Sequence, residues 1–381
     1  MLFRSPGMSI EMTTFRAERS YKDGRRPESV EYLGDIESDL ARRDFTMNAM
    51  AFDPLNGDFI DPFDGRGDIA RKLIRSVGDP YERFSEDGLR PMRAVRFAAQ
   101  LGFSIEEATF DCIPRTIETF KKVSMERLRD ELGKILLSDR PSWGLSLLER
   151  TGLLKLLLPE LSAGRGCRQK GDHSFDVLDH LYYSVDAAPK ILAIRLAALF
   201  HDVGKPEAMV ETEEGERHFH RHETISASMA SRAMKRLKYP NDLIDEVAHL
   251  IGHHMFNYSD EWSDAALRRF VASVGRENLE SLFMLRCADT AGTKRTAPDP
   301  RNLDPLRRRI EKLLAQDSAL GLKDLKINGN DLAEAGIPRG PVMGKILAEL
   351  LETVLDDPAQ NERETLLRIA GGIKGKYGIE D

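Results

Sequence analysis

The sequence is poor in cysteine and contains no long apolar run. Its three cysteines, Cys112, Cys167 and Cys287, are odd in number and lie far apart, which argues against a disulfide framework and fits a reducing compartment. No stretch approaches the roughly 18 consecutive apolar residues that a membrane-spanning helix needs, and the first residues lack the pattern of a secretory signal. These absences predict a cytoplasmic protein that does not span a membrane.

An excess of positive charge is also lacking. The 56 basic and 63 acidic side chains give a formal net charge of −7, so the molecule as a whole does not attract nucleic acid. Any RNA contact must therefore be local, through clusters such as residues 307–309 or Lys374 and Lys376. A solvated helix face is the alternative interpretation of these clusters.

The apolar pattern changes from a short β segment to a long helical body. Residues 10–15 alternate apolar and polar side chains, which predicts a strand, and residues 21–27 have the composition of a loop. Beyond about residue 68, apolar side chains recur every three to four residues, which predicts helices. The predicted helices lie near residues 88–101, 124–137, 141–150, 174–186, 191–200, 223–237 and 241–252. A leucine-rich packed helix follows in the last part, so we expect a mostly α fold.

Asp87 and Arg90 form the first candidate site. In a helix opening at Ser85, residues three apart lie on adjoining faces. A carboxylate beside a guanidinium offers hydrogen-bond acceptors and donors together, which could match the edge of a base without a nucleic-acid template. An ordinary salt bridge within the helix, with Arg93 and Arg96 bonded to neighbours, is the alternative.

A second polar cluster occurs in residues 40–51. Arg43 stands next to Asp44, and Asn48 follows four residues later. Arginine suits a triphosphate, and Asp44 or Asn48 could bind a ribose hydroxyl. A charged edge between a helix and a strand would explain the same residues without a ligand.

Four segments resemble a known family. Residues 42–51, 86–97 and 124–132 occur in the same order as in bacterial tRNA nucleotidyltransferases, the CCA-adding enzymes and their poly(A) polymerase relatives, and residues 325–344 resemble that family's C-terminal region. The resemblance implies a mostly α chain: the remnant of an α/β nucleotidyltransferase head, an elongated helical neck, an HD-type helical body and a helical tail. The implied divisions are the head at residues 1–55, the neck at residues 56–160, the body at residues 161–300 and the tail at residues 301–381.

The resemblance also implies an activity and its site. The family adds CCA, or part of it, to the 3′ ends of tRNA, so tRNA, CTP and ATP are the implied partners. Asp87 and Arg90 are implied to select the bases by hydrogen bonding, and residues 21–27 resemble a flexible loop that helps the pocket move from C to A addition. The other implied nucleotide-binding residues are Arg43, Asp44, Asn48, Arg93 and Arg96.

The sequence departs from the family at its start. In the family, a Gly-Gly turn and the Asp-x-Asp pair that holds Mg²⁺ lie upstream of the strand that residues 10–15 resemble, and here only residues 1–9 stand in that place. Glu11 is either a remaining catalytic carboxylate or a solvent-facing strand residue. We expect an incomplete Mg²⁺ site, a strand without sheet neighbours, weak nucleotide binding and no nucleotide addition. A truncated gene, a misassigned start or a reduced but complete protein would explain the departure.

A second set of residues resembles the HD phosphohydrolase superfamily. His180, the pair His201 and Asp202, and Asp289 have that superfamily's order and separations. The resemblance implies that these four hold one divalent transition-metal ion such as Ni²⁺ or Mn²⁺, for which imidazole and carboxylate are suitable ligands. The residues that fall where some relatives bind a second ion are His222, His253 and His254. For these three, a charged hairpin around His222 is the structural alternative.

This second set implies a function of its own. It needs only residues that the sequence contains, and it predicts metal-dependent hydrolysis of phosphomonoesters or 2′,3′-cyclic nucleotides as the alternative to tRNA nucleotidyl transfer. A noncatalytic RNA-binding body is a third hypothesis. Loss of phosphatase activity in an Asp202→Ala variant, but not in Asp87→Ala, would separate the metal site from the nucleotide site.

Overall fold

Helices make up most of the described chain, so the predicted mostly α fold is confirmed. The computed structural model describes residues 2–5, 8–11, 16–21, 27–32, 35–169, 175–213, 216–315 and 320–378. The chain divides into two compact units, of which the first comprises Met1–Gly252 with Ala288–Pro298 and the second comprises His253–Cys287 with Asp299–Asp381.

The strands pair two by two within the described residues. They are β1 (Leu2–Ser5), β2 (Met8–Glu11), β3 (Arg16–Tyr21), β4 (Pro27–Tyr32), β5 (Ala51–Phe52), β6 (Phe59–Ile60), β7 (Leu73–Ile74), β8 (Ser104–Ile105), β9 (Met209–Glu211) and β10 (Arg217–Phe219). Strands β7 and β8 are parallel, whereas the other four pairs are antiparallel hairpins of consecutive strands.

The first strands differ from the prediction. The predicted strand at residues 10–15 is observed only as the end of β2, and residues 12–15 lie outside the described part of the chain. Strand β2 pairs with β1, with Ile10 opposite Phe3, so the prediction that this strand lacks a sheet neighbour is wrong. The predicted loop at residues 21–27 connects the antiparallel strands β3 and β4, and its central residues also lie outside the described part.

The predicted helices of the first unit are observed with bounds that differ by a few residues. The helices are α1 (Ile36–Ala41), α2 (Gly65–Ala70), α3 (Pro80–Glu86), α4 (Arg90–Leu101), α5 (Glu107–Cys112), α6 (Ile117–Phe120), α7 (Met125–Leu136), α8 (Pro141–Arg150), α9 (Leu153–Leu157), α10 (Pro159–Ser162), α11 (Val177–Ala187), α12 (Leu192–Phe200), α13 (Lys205–Ala208), α14 (His222–Arg236) and α15 (Asn241–His253). Local signals account for several ends. Asp176 caps α11 by accepting from Asp179 N, and Gly102 ends α4 with a φ of 66°.

The helix predicted to open at Ser85 is instead two helices. Helix α3 ends at Glu86, Asp87 is extended with φ −135° and ψ 107°, and α4 begins at Arg90. The break follows from Gly88, where an added Cβ would lie 2.4 Å from Thr119 O. Only glycine permits that approach of two backbones. The prediction that Asp87 and Arg90 lie on one helix is therefore wrong, although both remain close to the start of α4.

Close packing fixes α4 against α7 and α8. Met92 on α4 and Leu132 on α7 are fully buried. An added Cβ on Gly144 of α8 would lie 2.6 Å from Ile135 Cγ2 and 2.9 Å from Ala99 Cβ, so glycine lets the helices approach closely. The three helices form the rigid frame of the nucleotide-binding candidates described below.

Helices are the only regular secondary structure in the described residues of the second unit. Its helices are α16 (Asp264–Val274), α17 (Leu279–Lys294), of which the residues from Ala288 onward belong to the first unit, α18 (Asp304–Ala315), α19 (Gly329–Glu334), α20 (Pro341–Asp356) and α21 (Arg363–Lys374). The leucine-rich helix α20 is packed, as predicted, with Ile346, Leu350 and Val354 buried. Throughout the described ranges, every helix is too short or too polar to cross a bilayer.

The predicted basic cluster at residues 307–309 is held in ion pairs. Arg307 Nη2 lies 3.1 Å from Glu280 Oε2, and Arg309 Nη2 lies 2.8 Å from Asp264 Oδ1. These contacts tie α18 to α17 and α16. They favour the structural interpretation of this cluster over RNA contact.

Candidate nucleotide pocket and candidate metal centre

One cavity is lined by residues of both polar clusters that were predicted as candidate sites. It has a volume of about 440 Å³, within the range of small-molecule sites in proteins. The residues that line it are Arg42, Arg43, Asp44, Asn48, Asp87, Arg90, Arg93 and Phe97. The structure thus brings two segments that are distant in sequence to one place, and we call this cavity the candidate nucleotide pocket.

Asp44 organises one wall of the candidate nucleotide pocket. Its Oδ2 accepts a hydrogen bond from Arg93 Nε at 2.7 Å and lies 2.6 Å from Arg93 Nη2. Its Oδ1 accepts from Asn48 Nδ2 at 3.0 Å and from Phe45 N at 2.9 Å. Because Asp44 is buried and both of its oxygens are engaged, it fixes the orientation of Arg93 and Asn48.

Asp87 and Arg90 line the same cavity through different partners. Asp87 Oδ2 accepts from Arg127 Nη2 at 2.8 Å, and its Oδ1 accepts from the backbone N–H of Leu89 at 3.0 Å. Arg90 Nη1 donates to Glu86 Oε2 at 2.8 Å, and Arg90 Nη2 donates to the backbone oxygen of Arg42 at 2.9 Å. These contacts hold a carboxylate and a guanidinium in the lining of one cavity, and each is fixed by a different ion-pair partner.

Arg96 lies behind the pocket rather than in its lining. Its side chain is buried, and its Nε donates to Glu131 Oε2 at 2.8 Å. Its guanidinium carbon lies 3.5 Å from the centre of the Phe97 ring, and that of Arg93 lies 5.4 Å from the same ring. Arg96 therefore supports the wall formed by Phe97 and Arg93.

Sequence reasoning missed several residues of this pocket. Arg42 and Phe97 line it, and Glu86 and Arg127 form ion pairs with Arg90 and Asp87 respectively. Arg127 lies within a segment that resembles the family, but nothing in the sequence indicates which carboxylate it contacts. Glu11, predicted as a possible catalytic carboxylate, ends β2, and its side chain lies outside the described part of the chain.

The candidate metal centre is a buried group of two histidines and two aspartates. His180 comes from α11, His201 and Asp202 follow α12, and Asp289 lies on α17. His180 Nε2 lies 3.0 Å from His201 Nε2, 3.3 Å from Asp202 Oδ2 and 3.2 Å from Asp289 Oδ1. His201 Nε2 lies 3.4 Å from each of these carboxylate oxygens. Four potential ligand atoms therefore converge, and the structure brings the predicted set together.

The pKa values of His201 and Asp289 are shifted because their charged side chains are buried together. Burial alone would lower the pKa of His201, but the carboxylates of Asp202 and Asp289 outweigh burial and raise this pKa to about 10. Burial would raise the pKa of Asp289, yet hydrogen bonds from His180 and His201 hold it well below its usual range. Both carboxylates thus require positive charge between them, which a divalent cation also provides.

The surrounding residues orient the group. The backbone oxygen of Ala198 lies 3.0 Å from His201 Nδ1, which leaves Nε2 facing the carboxylates. Lys205 forms an ion pair with Asp202 Oδ2. His222 Nε2 lies 3.2 Å from Asp202 Oδ1, and its Nδ1 lies 2.8 Å from the backbone oxygen of Phe219.

Two of the residues predicted to bind a second ion lie outside the first unit. His253 is the last residue of α15, and His254, which follows it, is buried. Both belong to the second unit. Their assignment as ligands stays a prediction.

Three family models match successive parts of the chain. The model described as "Poly A polymerase head domain" matches residues 2–75, and the model described as "Probable RNA and SrmB- binding site of polymerase A" matches residues 102–164. A model of tRNA nucleotidyltransferase domain 2 matches residues 220–370. The first match contains residues 42–48 of the candidate nucleotide pocket, and the second contains Arg127.

Several known proteins are similar to nearly the whole chain. The CCA-adding enzyme of Geobacillus sp. (strain WCH70) is 33% identical over 363 residues, which are 94% of this chain and 78% of that protein. The A-adding tRNA nucleotidyltransferase of Deinococcus radiodurans is 33% identical over 331 residues, 84% of this chain and 75% of that protein. The crystal structure of the Bacillus stearothermophilus CCA-adding enzyme in complex with CTP superposes with a TM-score of 0.70 at 27% identity and covers 99% of this chain and 82% of that one. This chain belongs to the family of tRNA nucleotidyltransferases that includes the CCA-adding and A-adding enzymes.

Proposed function

We propose that this protein adds CCA, or part of it, to the 3′ ends of tRNA from CTP and ATP. One observation carries the proposal: Asp87 and Arg90 line the same cavity as Arg43, Asn48 and Arg93. A base-selecting pair thus shares one pocket with groups suited to a sugar and a triphosphate. On this proposal, residues 1–55 belong to the head, 56–160 to the neck that reads the base, 161–300 to the HD-type body and 301–381 to the tail.

The pattern of hydrogen-bond donors and acceptors on the edge of each base explains why C and A are chosen over U and G. Cytosine and adenine both present an amino group beside a ring nitrogen that accepts, whereas uracil and guanine present a carbonyl beside a ring N–H. A carboxylate accepts from the amino group and a guanidinium donates to the ring nitrogen, so Asp87 beside Arg90 matches C and A. With U or G the same pair sets acceptor against acceptor and donor against donor, which leaves polar groups unpaired.

The rest of the pocket suits the charged part of a nucleotide. The side chain of Arg43 is 43% exposed while it pairs with Asp39 at 3.1 Å, so it is tethered at one side and accessible at the other. Guanidinium groups bind phosphate oxygens in a planar, bidentate manner. Arg43 and Arg93 are therefore assigned to the triphosphate, and Asn48 to the ribose.

The carboxylates of this pocket do not fit a Mg²⁺ site. Mg²⁺ is the ion proposed for nucleotidyl transfer in this family, and it needs carboxylate oxygens that face it. Asp44 is engaged by Arg93 and Asn48, and Asp87 is engaged by Arg127. Asp87 is therefore assigned to nucleotide recognition, and Asp44 to holding Arg93 and Asn48. The expectations of an incomplete Mg²⁺ site and of no nucleotide addition stay predictions, so the experiment below measures binding rather than transfer.

The comparisons support the substrates. The solved relative with a TM-score of 0.70 is described in complex with CTP, and the curated relatives are named for CCA addition or A addition. Because 27% to 33% identity extends over most of the chain, we transfer CTP, ATP and tRNA as substrates to this protein.

Binding of nucleotides by the purified chain tests the proposal without requiring transfer. We expect CTP and ATP to bind in calorimetric titrations more tightly than UTP and GTP. Asp87→Ala should remove this preference, and Asp87→Asn should narrow the preference for CTP over UTP, because an amide can donate to the uracil carbonyl while Arg90 still faces the ring N–H. Asp58→Ala, which removes an exposed carboxylate outside the pocket, is the control. Equal affinity for all four nucleotides in the unmodified chain would refute the assignment.

A second candidate function rests on the candidate metal centre. The donor set of His180, His201, Asp202 and Asp289 fits a divalent transition metal, because imidazole and carboxylate are its common ligands. The Nε2 atom of each histidine lies 3.2 to 3.4 Å from an oxygen of each carboxylate. Such an ion supplies a Lewis acid that polarises a phosphoryl oxygen and acidifies a water molecule. Lys205, already bound to Asp202, stands next to the centre as a point charge for a phosphate.

We propose on this basis a metal-dependent phosphohydrolase activity toward phosphomonoesters or 2′,3′-cyclic nucleotides. Assays with p-nitrophenyl phosphate and with 2′,3′-cyclic AMP, in the presence of Ni²⁺ or Mn²⁺, should detect hydrolysis. Asp202→Ala should abolish it and Asp87→Ala should leave it unchanged. Activity that survives in Asp202→Ala would assign hydrolysis to another part of the chain or to a contaminant.

A further inference from the structure

The β9–β10 hairpin carries a glutamate and two histidines at alternate positions. Glu216 immediately precedes β10, His218 is the central residue of that strand, and His220 immediately follows it. Successive side chains of an extended chain point to opposite sides, so residues two apart lie on the same side. We call Glu216, His218 and His220 the hairpin triad. Neither of the functions proposed above uses it.

The two sides of β10 have different surroundings. On one side, the ring centre of Phe219 lies 5.8 Å from Lys205 Nζ, and Lys205 pairs with Asp202 of the candidate metal centre. On the other side, His218 is paired with Val210, which is 58% exposed. The hairpin therefore has one side next to the candidate metal centre, and it presents the triad to solvent on the opposite side.

The members of the hairpin triad lie close enough to share one small ligand. The ring centres of His218 and His220 are 5.6 Å apart, and the two ring planes differ by only 7°. Glu216 Oε2 lies 3.6 Å from His218 Nε2. Two nitrogen ligands of one tetrahedral ion lie about 3.4 Å apart, because each Zn–N bond is about 2.1 Å long. Since His220 is exposed, rotation of its side chain completes this approach without moving the backbone.

The chemistry of the hairpin triad selects the class of ligand. The carboxylate of Glu216 beside His218 repels an anion. Mg²⁺ and Ca²⁺ take oxygen ligands, and only one of the three side chains offers them. Two imidazoles with one carboxylate are suitable ligands for Zn²⁺, Ni²⁺ and Cu²⁺.

We infer that the hairpin triad binds one divalent transition-metal ion at the surface, at a site separate from the candidate metal centre. The ligands of that centre are buried, whereas Glu216 and His220 are exposed. The triad also lies within five consecutive residues, so the unfolded chain presents the same ligands. Because an ion that binds both states stabilises neither over the other, the triad should add little to the free energy of unfolding.

Retention on a column of immobilised Ni²⁺ tests whether the site is accessible. The chain, purified without an affinity tag, should be retained and should elute with imidazole, because an ion fixed to a resin reaches only exposed side chains. His218→Gln and His220→Gln should each elute much earlier. His249→Gln, on α15 and also one of the nine histidines, is the matched control and should elute with the unmodified chain. Asp202→Ala should be retained as well.

Calorimetric titration with Zn²⁺ measures the number of sites. Replacing both histidines, as His218→Gln with His220→Gln, should reduce the number of bound Zn²⁺ ions by one, whereas His249→Gln should not. Each single substitution should weaken binding at this site about tenfold or more, because a chelate that loses one ligand loses the effective concentration that the other provided. The rise in the midpoint of thermal unfolding with Zn²⁺ should be the same in the double variant as in the unmodified chain.

The outcomes separate the hairpin triad from the candidate metal centre. The inference is overturned if the unmodified chain is not retained, or if His218→Gln and His220→Gln are retained as strongly as His249→Gln. Loss of retention in Asp202→Ala would assign the accessible ion to the buried group and overturn the inference too. Retention that depends on His218 and His220, in a chain without phosphohydrolase activity, would support the triad and contradict only the second candidate function.

Discussion

Arg127 on α7 holds the carboxylate of Asp87 from outside the helix pair that frames it. Its Nη2 lies 2.8 Å from Asp87 Oδ2, and its Nη1 lies 3.3 Å from Oδ1. The backbone N–H of Leu89 binds the same carboxylate from the other side. Asp87 is therefore fixed by two elements, and the orientation of its carboxylate in the candidate nucleotide pocket depends on a residue that does not line the pocket.

Replacing Arg127 should damage selectivity more than stability. Arg127→Ala frees the Asp87 carboxylate, so we expect CTP affinity to fall about tenfold, which corresponds to about 1.4 kcal/mol, and the preference for CTP over UTP to shrink. Calorimetric titration with both nucleotides measures this ratio. Lys121→Ala removes an exposed cation that pairs with Glu118 and should leave the ratio unchanged. An unaltered ratio in Arg127→Ala would show that Asp87 needs no such support.

Gly88 should tolerate no side chain. An added Cβ would lie 2.4 Å from Thr119 O and 2.9 Å from Phe120 N, both backbone atoms that cannot turn aside. We expect Gly88→Ala to lower the free energy of unfolding by about 1 to 3 kcal/mol and to weaken CTP binding, because the break between α3 and α4 shifts. Urea unfolding followed by circular dichroism measures the first effect.

Gly133, which lies on α7, provides the matched control for the substitution of Gly88. Gly133 lies inside that helix, with no atom within 4 Å of an added Cβ. Gly133→Ala should therefore raise the free energy of unfolding by about 0.5 to 1 kcal/mol through helix propensity. Equal effects of the two substitutions would contradict the packing argument at Gly88.

The buried ion pair behind the pocket should make stability depend on pH. Burial alone would raise the pKa of Glu131, but hydrogen bonds and charges from Lys134 and Arg96 outweigh it and lower the pKa below the usual 4.5. A carboxyl with a lowered folded pKa stabilises the fold above its unfolded pKa and loses that contribution as the pH falls through the folded value. The contribution of Glu131 is therefore complete above pH 4.5 and declines below it.

Glu131→Gln measures this contribution. At pH 7 we expect the substitution to lower the free energy of unfolding by about 2 kcal/mol, the size of a lost hydrogen bond to a charged group. The difference from the unmodified protein should close as the pH falls below 4.5. Glu118→Gln, at the exposed pair with Lys121, should show no such gap. A gap that persists at low pH would mean that the amide disturbs packing rather than charge.

Divalent metal ions should raise the thermal stability of the protein. An ion at 100 times its dissociation constant adds about 2.7 kcal/mol to the folded state, so Ni²⁺ or Mn²⁺ should raise the midpoint of thermal unfolding, and EDTA should reverse the shift. Asp202→Ala and His180→Ala should remove the effect, whereas Asp245→Ala, an exposed carboxylate of α15, should retain it. Absence of any shift in the unmodified protein would count against the metal assignment.

The helical body was predictable because its signals are local. Apolar side chains at three- and four-residue spacing predicted α7, α8, α12 and α14 to within two residues of the observed ends. The candidate metal ligands could also be named in advance, since His201 and Asp202 follow an apolar helix in a specific string. The convergence of His180 and Asp289 on them depends on how α11 and α17 pack, which no short window of sequence contains.

The geometry around Asp87 was not predictable for the same reason. Helical spacing continues through residues 85–101, and the feature that interrupts it is the contact between Gly88 and the backbone of Thr119, far along the chain. The strand that was expected to be unpaired finds its partner in residues 2–5, which carry no motif.

The tight contact between Gly144 and α4 makes one wall of the candidate nucleotide pocket rigid. Because α4 is clamped against α7 and α8, a shift of Arg90 or Arg93 would have to move three packed helices together. We therefore expect any adjustment of the cavity to ligands of different size to come from the segment that carries Arg43, Asp44 and Asn48.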